Sequence, residues 1–118
     1  MASSILVLIT KPPYGLEEAF AGLRLALAMG VNGMKTSVLF VEEGVYNAVG
    51  TQKAEVLKMP SNIDATKDLY EFDVPIYVVS EDLAARGIQE GMVFEGLKVV
   101  PATKARELMA EHDVVTTF

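Results

Sequence analysis

Apolar residues fall along this chain in two kinds of run. Five short segments are almost continuously apolar and rich in branched side chains: ILVLI at 5–9, TSVLFV within 35–41, PIYVV at 75–79, LKVV at 97–100 and VVTTF at 114–118. None is long enough for a helix, and in ILVLI the lack of alternation is the mark of a strand covered on both faces, as in a parallel sheet. The second kind has helical spacing. Over 16–29, Leu16, Phe20, Leu23 and Leu27 recur at intervals of four, three and four, which predicts a helix that Gly30 would stop. Shorter helices are predicted at 81–86, capped by Ser80 and ended by Gly87, and at 102–111, where Ala105, Leu108 and Met109 would face inward. A helical turn is expected at 45–49 and a partly helical stretch at 62–72 with Asn62 as its cap, while 50–60 is weakly patterned.

The regular alternation of strand and helix predicts a three-layer α/β/α domain spanning 1–118, with a central parallel or mostly parallel five-stranded sheet. Right-handed crossovers follow from that architecture; the order of the strands does not. The first helix carries a second apolar pair. At 100° per residue Leu25 and Met29 lie nearly opposite the Leu16–Leu23–Leu27 stripe, and the helix's charged residues are only Glu17, Glu18 and Arg24. Such a pair is either a subunit interface or the ordinary scatter of apolar residues on a surface.

Composition narrows the chemistry. The 118 residues are 51% apolar and 22% charged, enough for a core and too apolar for a disordered chain. The net charge of −6 disfavours direct nucleic-acid binding and a basic membrane-surface helix. No apolar run approaches the roughly 20 residues of a membrane span, and no basic, apolar leader is present at 1–9, so the reading is a soluble cytoplasmic protein. Cysteine is absent altogether and His112 is the single histidine, which removes disulfides, thiol nucleophiles, thiolate metal sites and any two-histidine site. No cofactor is implied.

Domains of this architecture work with the loops at the carboxyl ends of their strands, here 10–15, 42–44, 80–82 and 101–103. The first reads TKPPYG, with one glycine where a dinucleotide loop needs three and two prolines that supply no N–H to a phosphate. A phosphoacceptor receiver would need acids after the first strand and an aspartate ending the third; Thr10, Lys11, Val79 and Ser80 stand there instead. Glu42, Glu43, Glu81 and Asp82 read as solvated turns and helix starts. Ser80 as a nucleophile lacks a base nearby in sequence, so a helix cap is the better account, and His112 reads as a surface or capping residue. Lys11 and Tyr14 sit in a stiff loop where they could recognise an anionic ligand or a partner chain, or simply anchor the loop.

Four segments taken together, LITKPPYGLEEA (8–19), SVLFVEEGVYNAV (37–49), PIYVVSEDLAARGI (75–88) and EHDVVTTF (111–118), resemble the DsrE/DsrF/TusBCD family, most closely its DsrF/TusC branch. The resemblance implies an α/β/α domain that assembles as dimers, trimers or hexamers, as a homo-oligomer or as a hetero-oligomer with cysteine-bearing DsrE/TusD-like paralogues. It also implies a role in sulfur relay, for tRNA thiolation or sulfur oxidation. In that relay a cysteine ending the third strand carries a persulfide and passes it to a DsrC/TusE-like carrier. The family's Arg-Gly after that cysteine is matched by Arg86-Gly87, and the cysteine position falls on Val79. A valine cannot hold a persulfide, so the expectation is a non-catalytic oligomeric subunit. The pocket or partner-contact positions carried over are Lys11, Pro12, Pro13, Tyr14, Gly44, Val79 and Ser80. The alternative is a small-ligand-binding homo-oligomer of the same fold; an enzyme built on Ser80 or the acids is a third reading.

Overall fold

The computed structural model describes residues 4–12, 18–49 and 68–118. Five strands form one all-parallel sheet: β1 (Ser4–Ile9), β2 (Lys35–Phe40), β3 (Ile76–Val79), β4 (Lys98–Val100) and β5 (Val114–Thr117). Their order across the sheet is β4-β3-β2-β1-β5. The chain steps one way from β1 to β4 and then returns past β1 to lay β5 on its far side. Between them lie helix α1 (Glu18–Val31), a 3-10 helix at Glu42–Ala48, helix α2 (Ser80–Ala85), a 3-10 turn at Glu90–Met92 and helix α3 (Ala102–Glu111).

The crossover rule turns that order into layers. Steps in one direction put α1 and α2 on one face, and the reversed step from β4 to β5 puts α3 on the other. The buried side chains divide accordingly. The larger cluster joins Val7, Ile9, Val38, Phe40, Ile76 and Val78 with Leu23 and Ala26 of α1, Val45 of the 3-10 helix, Leu69 and Leu83. The smaller one joins Leu6, Leu39 and Val79 with Ala105 and Leu108 of α3. Burial on both sides is why β1, β2 and β3 read as continuous apolar runs; the edge strands β4 and β5 carry the same pattern but are half-buried to exposed. Five strands about 4.8 Å apart make a face roughly 24 Å wide, and one helix about 10 Å across spans less than half of it. Among the described residues α3 is the sole helix there, and Leu8, Val41, Tyr77, Val100 and Met109 around it are only half-buried.

Several local expectations are corrected. Helix α1 does not stop at Gly30 but runs to Val31 and ends at Gly33, whose φ of +82° suits glycine. Gly30 is there for space: a Cβ on it would lie 2.8 Å from a Val74 methyl. The inner face of α1 is Ala19, Gly22, Leu23 and Ala26, with Phe20 and Leu27 half-buried beside it. Small residues win that face because they let the helix sit close to the sheet; Phe118's ring lies 3.0 Å from where a Gly22 Cβ would be. Leu25 and Met29 therefore lie beside that face and not opposite it. They are half-buried on the helix flank, and Met29 packs on the larger cluster. Ser80 is not a cap either. It is the first residue of α2, the cap position is Val79, and no side chain caps that end. The turn expected at 45–49 starts earlier, at Glu42. The predicted Asn62 cap falls outside the described residues.

Candidate functional site

Because all five strands run the same way, the loops singled out from the sequence meet at one end of the sheet, and hydrogen bonds tie them together. At the end of β1, Val41 N–H donates to the Ile9 carbonyl (3.1 Å) and the 3-10 helix lies directly on that carbonyl. Gly44 makes the approach possible, since a Cβ there would fall 1.9 Å from the Ile9 oxygen. Gly44 is thus buried by close backbone contact, not presented to a ligand. Asn47, fully buried, donates its amide N–H groups to the carbonyls of Lys11 and Gly44, both at 2.9 Å. This side chain fastens the first loop to the second. Sequence reasoning passed over it; the signal was a lone amide inside the apolar run VYNAV.

The second and third loops are joined through Glu42, a non-glycine residue at φ +52°, whose N–H donates to Asp82 Oδ2 at 2.8 Å. Arg86 reinforces the link. Its guanidinium donates to Glu43 Oε1 (2.9 and 3.0 Å) and to the Asp82 carbonyl (3.2 Å), and Gly87 at φ +68° ends the turn behind it. Half-exposed on the Glu43 side, that ion pair is worth at most about 1 kcal/mol. Its effect is orientation: Arg86 and Gly87 hold α2 against the 3-10 helix.

The third and fourth loops meet through Glu81. Both carboxylate oxygens accept the Ala102 N–H at 3.0 Å, and Ser80 Oγ donates to Oε1 at 2.8 Å. The Ser80 hydroxyl and then the Ala102 N–H hold this carboxyl below its ordinary value, so it is an anion and an acceptor at neutral pH. Glu81 accordingly serves as the cap at the start of α3, supplied from another element. The Ser80 hydroxyl is engaged with it, and the single histidine is elsewhere: His112 Nδ1 meets the Leu108 carbonyl (2.6 Å) and Nε2 meets Ser37 Oγ (3.2 Å) near the start of β2. The serine–histidine reading therefore has no geometry.

Of the other predicted positions, Lys11 is exposed and Pro12 half-buried at the rim, beside the place where Thr10 N–H and Oγ1 both donate to the Phe118 carbonyl (2.7 and 2.9 Å). Pro13 and Tyr14 lie outside the described residues. Val79 and Ser80, though adjacent, have different surroundings. Val79 is 3% exposed and packs beneath α3 with Ala105 and Leu108, while Ser80 is half-buried at the rim. The structure thus brings Lys11, Gly44 and Ser80 to one end of the sheet and withdraws Val79 into the second core layer. Glu42, Glu43, Glu81 and Asp82 gather there too, but no group of acids and histidine among the described residues could hold a metal ion.

The model of the DsrE/DsrF-like family matches residues 3–118. The chain belongs to that family. It is 31% identical over 112 residues to an uncharacterized protein of Methanocaldococcus jannaschii, covering 95% of this chain and 96% of the relative. It is 29% identical to the intracellular sulfur oxidation protein DsrF of Allochromatium vinosum (92% and 90% covered) and 25% identical to the TusC homolog of Pseudomonas aeruginosa (100% of both). Among solved structures, the ychN protein of E. coli superposes with a TM-score of 0.85 over 100% of both chains at 21% identity, which shows the shared fold. In this family member the rim is a set of loops locked to one another by main-chain and carboxylate hydrogen bonds, without a thiol to carry sulfur.

Proposed function

We propose that this chain is a non-catalytic subunit of an oligomeric, cytoplasmic sulfur-transfer assembly. It supports a cysteine-bearing DsrE/TusD-like relative and holds no persulfide itself. The observation that carries the reading is Val79. It ends β3, where the family resemblance puts the sulfur-bearing residue, and it is an aliphatic side chain packed in the second core layer. The kinship with DsrF and TusC supports the sulfur-relay context. The loop linkages support a scaffold role: Arg86, Glu81 and Asn47 spend their polar groups on holding the rim's shape. The surface offered to the relative or to a DsrC/TusE-like carrier is that rim, Lys11, Pro12 and Ser80, with Pro13 and Tyr14 next along the chain. The Leu25–Met29 flank of α1 is a subunit contact. No described helix is long and apolar enough to cross a membrane.

Affinity capture of the tagged chain from its native source, followed by alkylation that distinguishes thiols from persulfides, tests the reading. The expected result is a stoichiometric cysteine-bearing relative that carries the persulfide. Capture without any such relative would overturn it.

A further inference from the structure

The two edges of the sheet are treated differently. On the β4 edge the strand is three residues long, Lys98 lies within it with its ammonium 5.5 Å from the Tyr77 ring centroid, and Pro101 follows at once. A lysine and a proline are standard means of stopping an edge from pairing. On the β5 edge there is no such device among the described residues. Val114–Thr117 is VVTT, four β-branched residues with no charge, glycine or proline, and Val114 and Val115 are 39% and 40% exposed.

The hydrogen-bonding capacity of that edge can be read residue by residue. Phe118 turns both its N–H (to the Leu8 carbonyl, 2.8 Å) and its carbonyl (from Thr10 N–H, 2.7 Å) toward β1. With a period of two, Thr116 and Val114 also face β1, and Val115 and Thr117 direct their main-chain groups outward. We propose that β5 pairs antiparallel with β5 of a second copy of this chain about a two-fold axis at Thr116, joining the two sheets into one of ten strands. In that register Val115 lies opposite Thr117 of the other copy and exchanges both main-chain bonds with it, twice over. All four outward groups are satisfied, the Val115–Thr117 and Thr116–Thr116 pairs are β-branched, Val114 faces the Phe118 ring of the other copy, and no like charges face one another. The strand is its own complement, which is what an isologous contact requires.

Four strand residues alone do not supply the roughly 800 Å² per partner of a stable interface. Helix α1 extends the surface. Gly22 lies against Phe118, and Leu25 and Met29 follow Gly22 on the same ridge at spacings of three and four. Leu25 and Met29 are half-buried on the same flank of α1 as Gly22, so the pair extends the apolar surface beyond the Gly22–Phe118 contact. The inference rests on β5 and α1 and not on the sulfur-transfer reading.

The absence of native cysteine gives a clean test. Opposed residues of a non-hydrogen-bonded antiparallel pair have Cα atoms about 4.5 Å apart, within the roughly 4.4–6.8 Å that a disulfide spans. Thr116→Cys in the full chain should form a symmetric covalent dimer under mild oxidation. Thr103→Cys, on the exposed side of α3, should not. Val115→Lys should keep the circular-dichroism spectrum and convert the dimer to monomer by light scattering at about 100 µM. A wild-type chain that is monomeric at that concentration would overturn the proposal. So would an oligomer that survives Val115→Lys and in which Thr116→Cys gives no cross-link. Either outcome leaves the capture of a cysteine-bearing relative unaffected, and failure of that capture leaves the self-pairing standing.

Discussion

Replacing Gly44 with alanine should be among the most damaging single-methyl changes in this protein. The added carbon would sit 1.9 Å from the Ile9 oxygen, 2.6 Å from the Ile9 carbonyl carbon and 3.2 Å from the Thr10 nitrogen. A comfortable carbon–oxygen contact is about 3.3 Å, so the two backbones must separate by about 1.4 Å. Both sides are main chain, so no flexible side chain can give way. The separation pulls on three bonds: Val41 N–H to Ile9 (3.1 Å), Gly44 N–H to Val41 (2.8 Å) and the Asn47 amide to Gly44 (2.9 Å). Overpacking costs about 2 kcal/mol and each of the three weakened bonds about 0.5–1 kcal/mol, which gives about 3–5 kcal/mol in all. A chain of this length has an unfolding entropy of about 0.25 kcal/mol/K, so the melting temperature should fall by about 12–20 °C. Gly91→Ala is the matched control. A Cβ there meets nothing within 4 Å and the residue is not in the left-handed region, so its melting temperature should move by about 2 °C or less. Differential scanning calorimetry on the three proteins decides the matter. A loss below about 4 °C for Gly44→Ala would mean that the close approach of the 3-10 helix to β1 is not what places the glycine.

Cysteine scanning reads the rim directly. The thiol of a Val79→Cys chain should react with an aromatic disulfide on the order of 100-fold more slowly than that of a Ser80→Cys chain, an opening free energy of about 3 kcal/mol, and equal rates would contradict the burial of position 79. Glu81 makes stability depend on pH. Its carboxyl is held below its ordinary value in the folded chain, so its contribution is fully present above about pH 4.3, the unfolded value, and is lost as the pH falls through the lower folded value. Urea midpoints at pH 7 and pH 3 should therefore converge in Glu81→Gln relative to the parent, and an unchanged difference would remove Glu81 from the account.

The layers of this fold were legible because strands buried on both faces cannot hide their composition: ILVLI and PIYVV allow little else. The end of α3 was legible too, in the run from Glu111 to Val114. What escaped was whatever depended on how close two backbones come. Gly30 and Gly44 look alike in sequence as turn-formers, yet one sits inside a helix beneath Val74 and the other under a carbonyl; only the approach of a distant segment distinguishes glycine for conformation from glycine for room. The helical wheel of α1 failed for a related reason. Large residues drew the stripe through Phe20 and Leu27, but the sheet accepts Ala19, Gly22 and Ala26, so the real face is rotated and Leu25 and Met29 sit beside it. The Glu81–Ala102 link joins residues 21 apart through a side chain and an N–H, a contact that no periodicity encodes. Position 79 became interpretable only when its neighbours Ala105 and Leu108 were known.

With α3 the sole helix on the second sheet face among the described residues, it is a cover that could lift without the rest coming apart. Its side chains enter one small cluster, whereas α1, α2 and the 3-10 helix share the other. At its two ends it is also fastened by polar contacts, Glu81 to Ala102 at one and His112 to Ser37 at the other. Partial opening of the native chain should start there, with Val79 and Leu39 meeting water while the larger core stays shut. In this domain the valine that ends β3 lies under the helix that, among the described residues, is held by the smaller of the two core clusters.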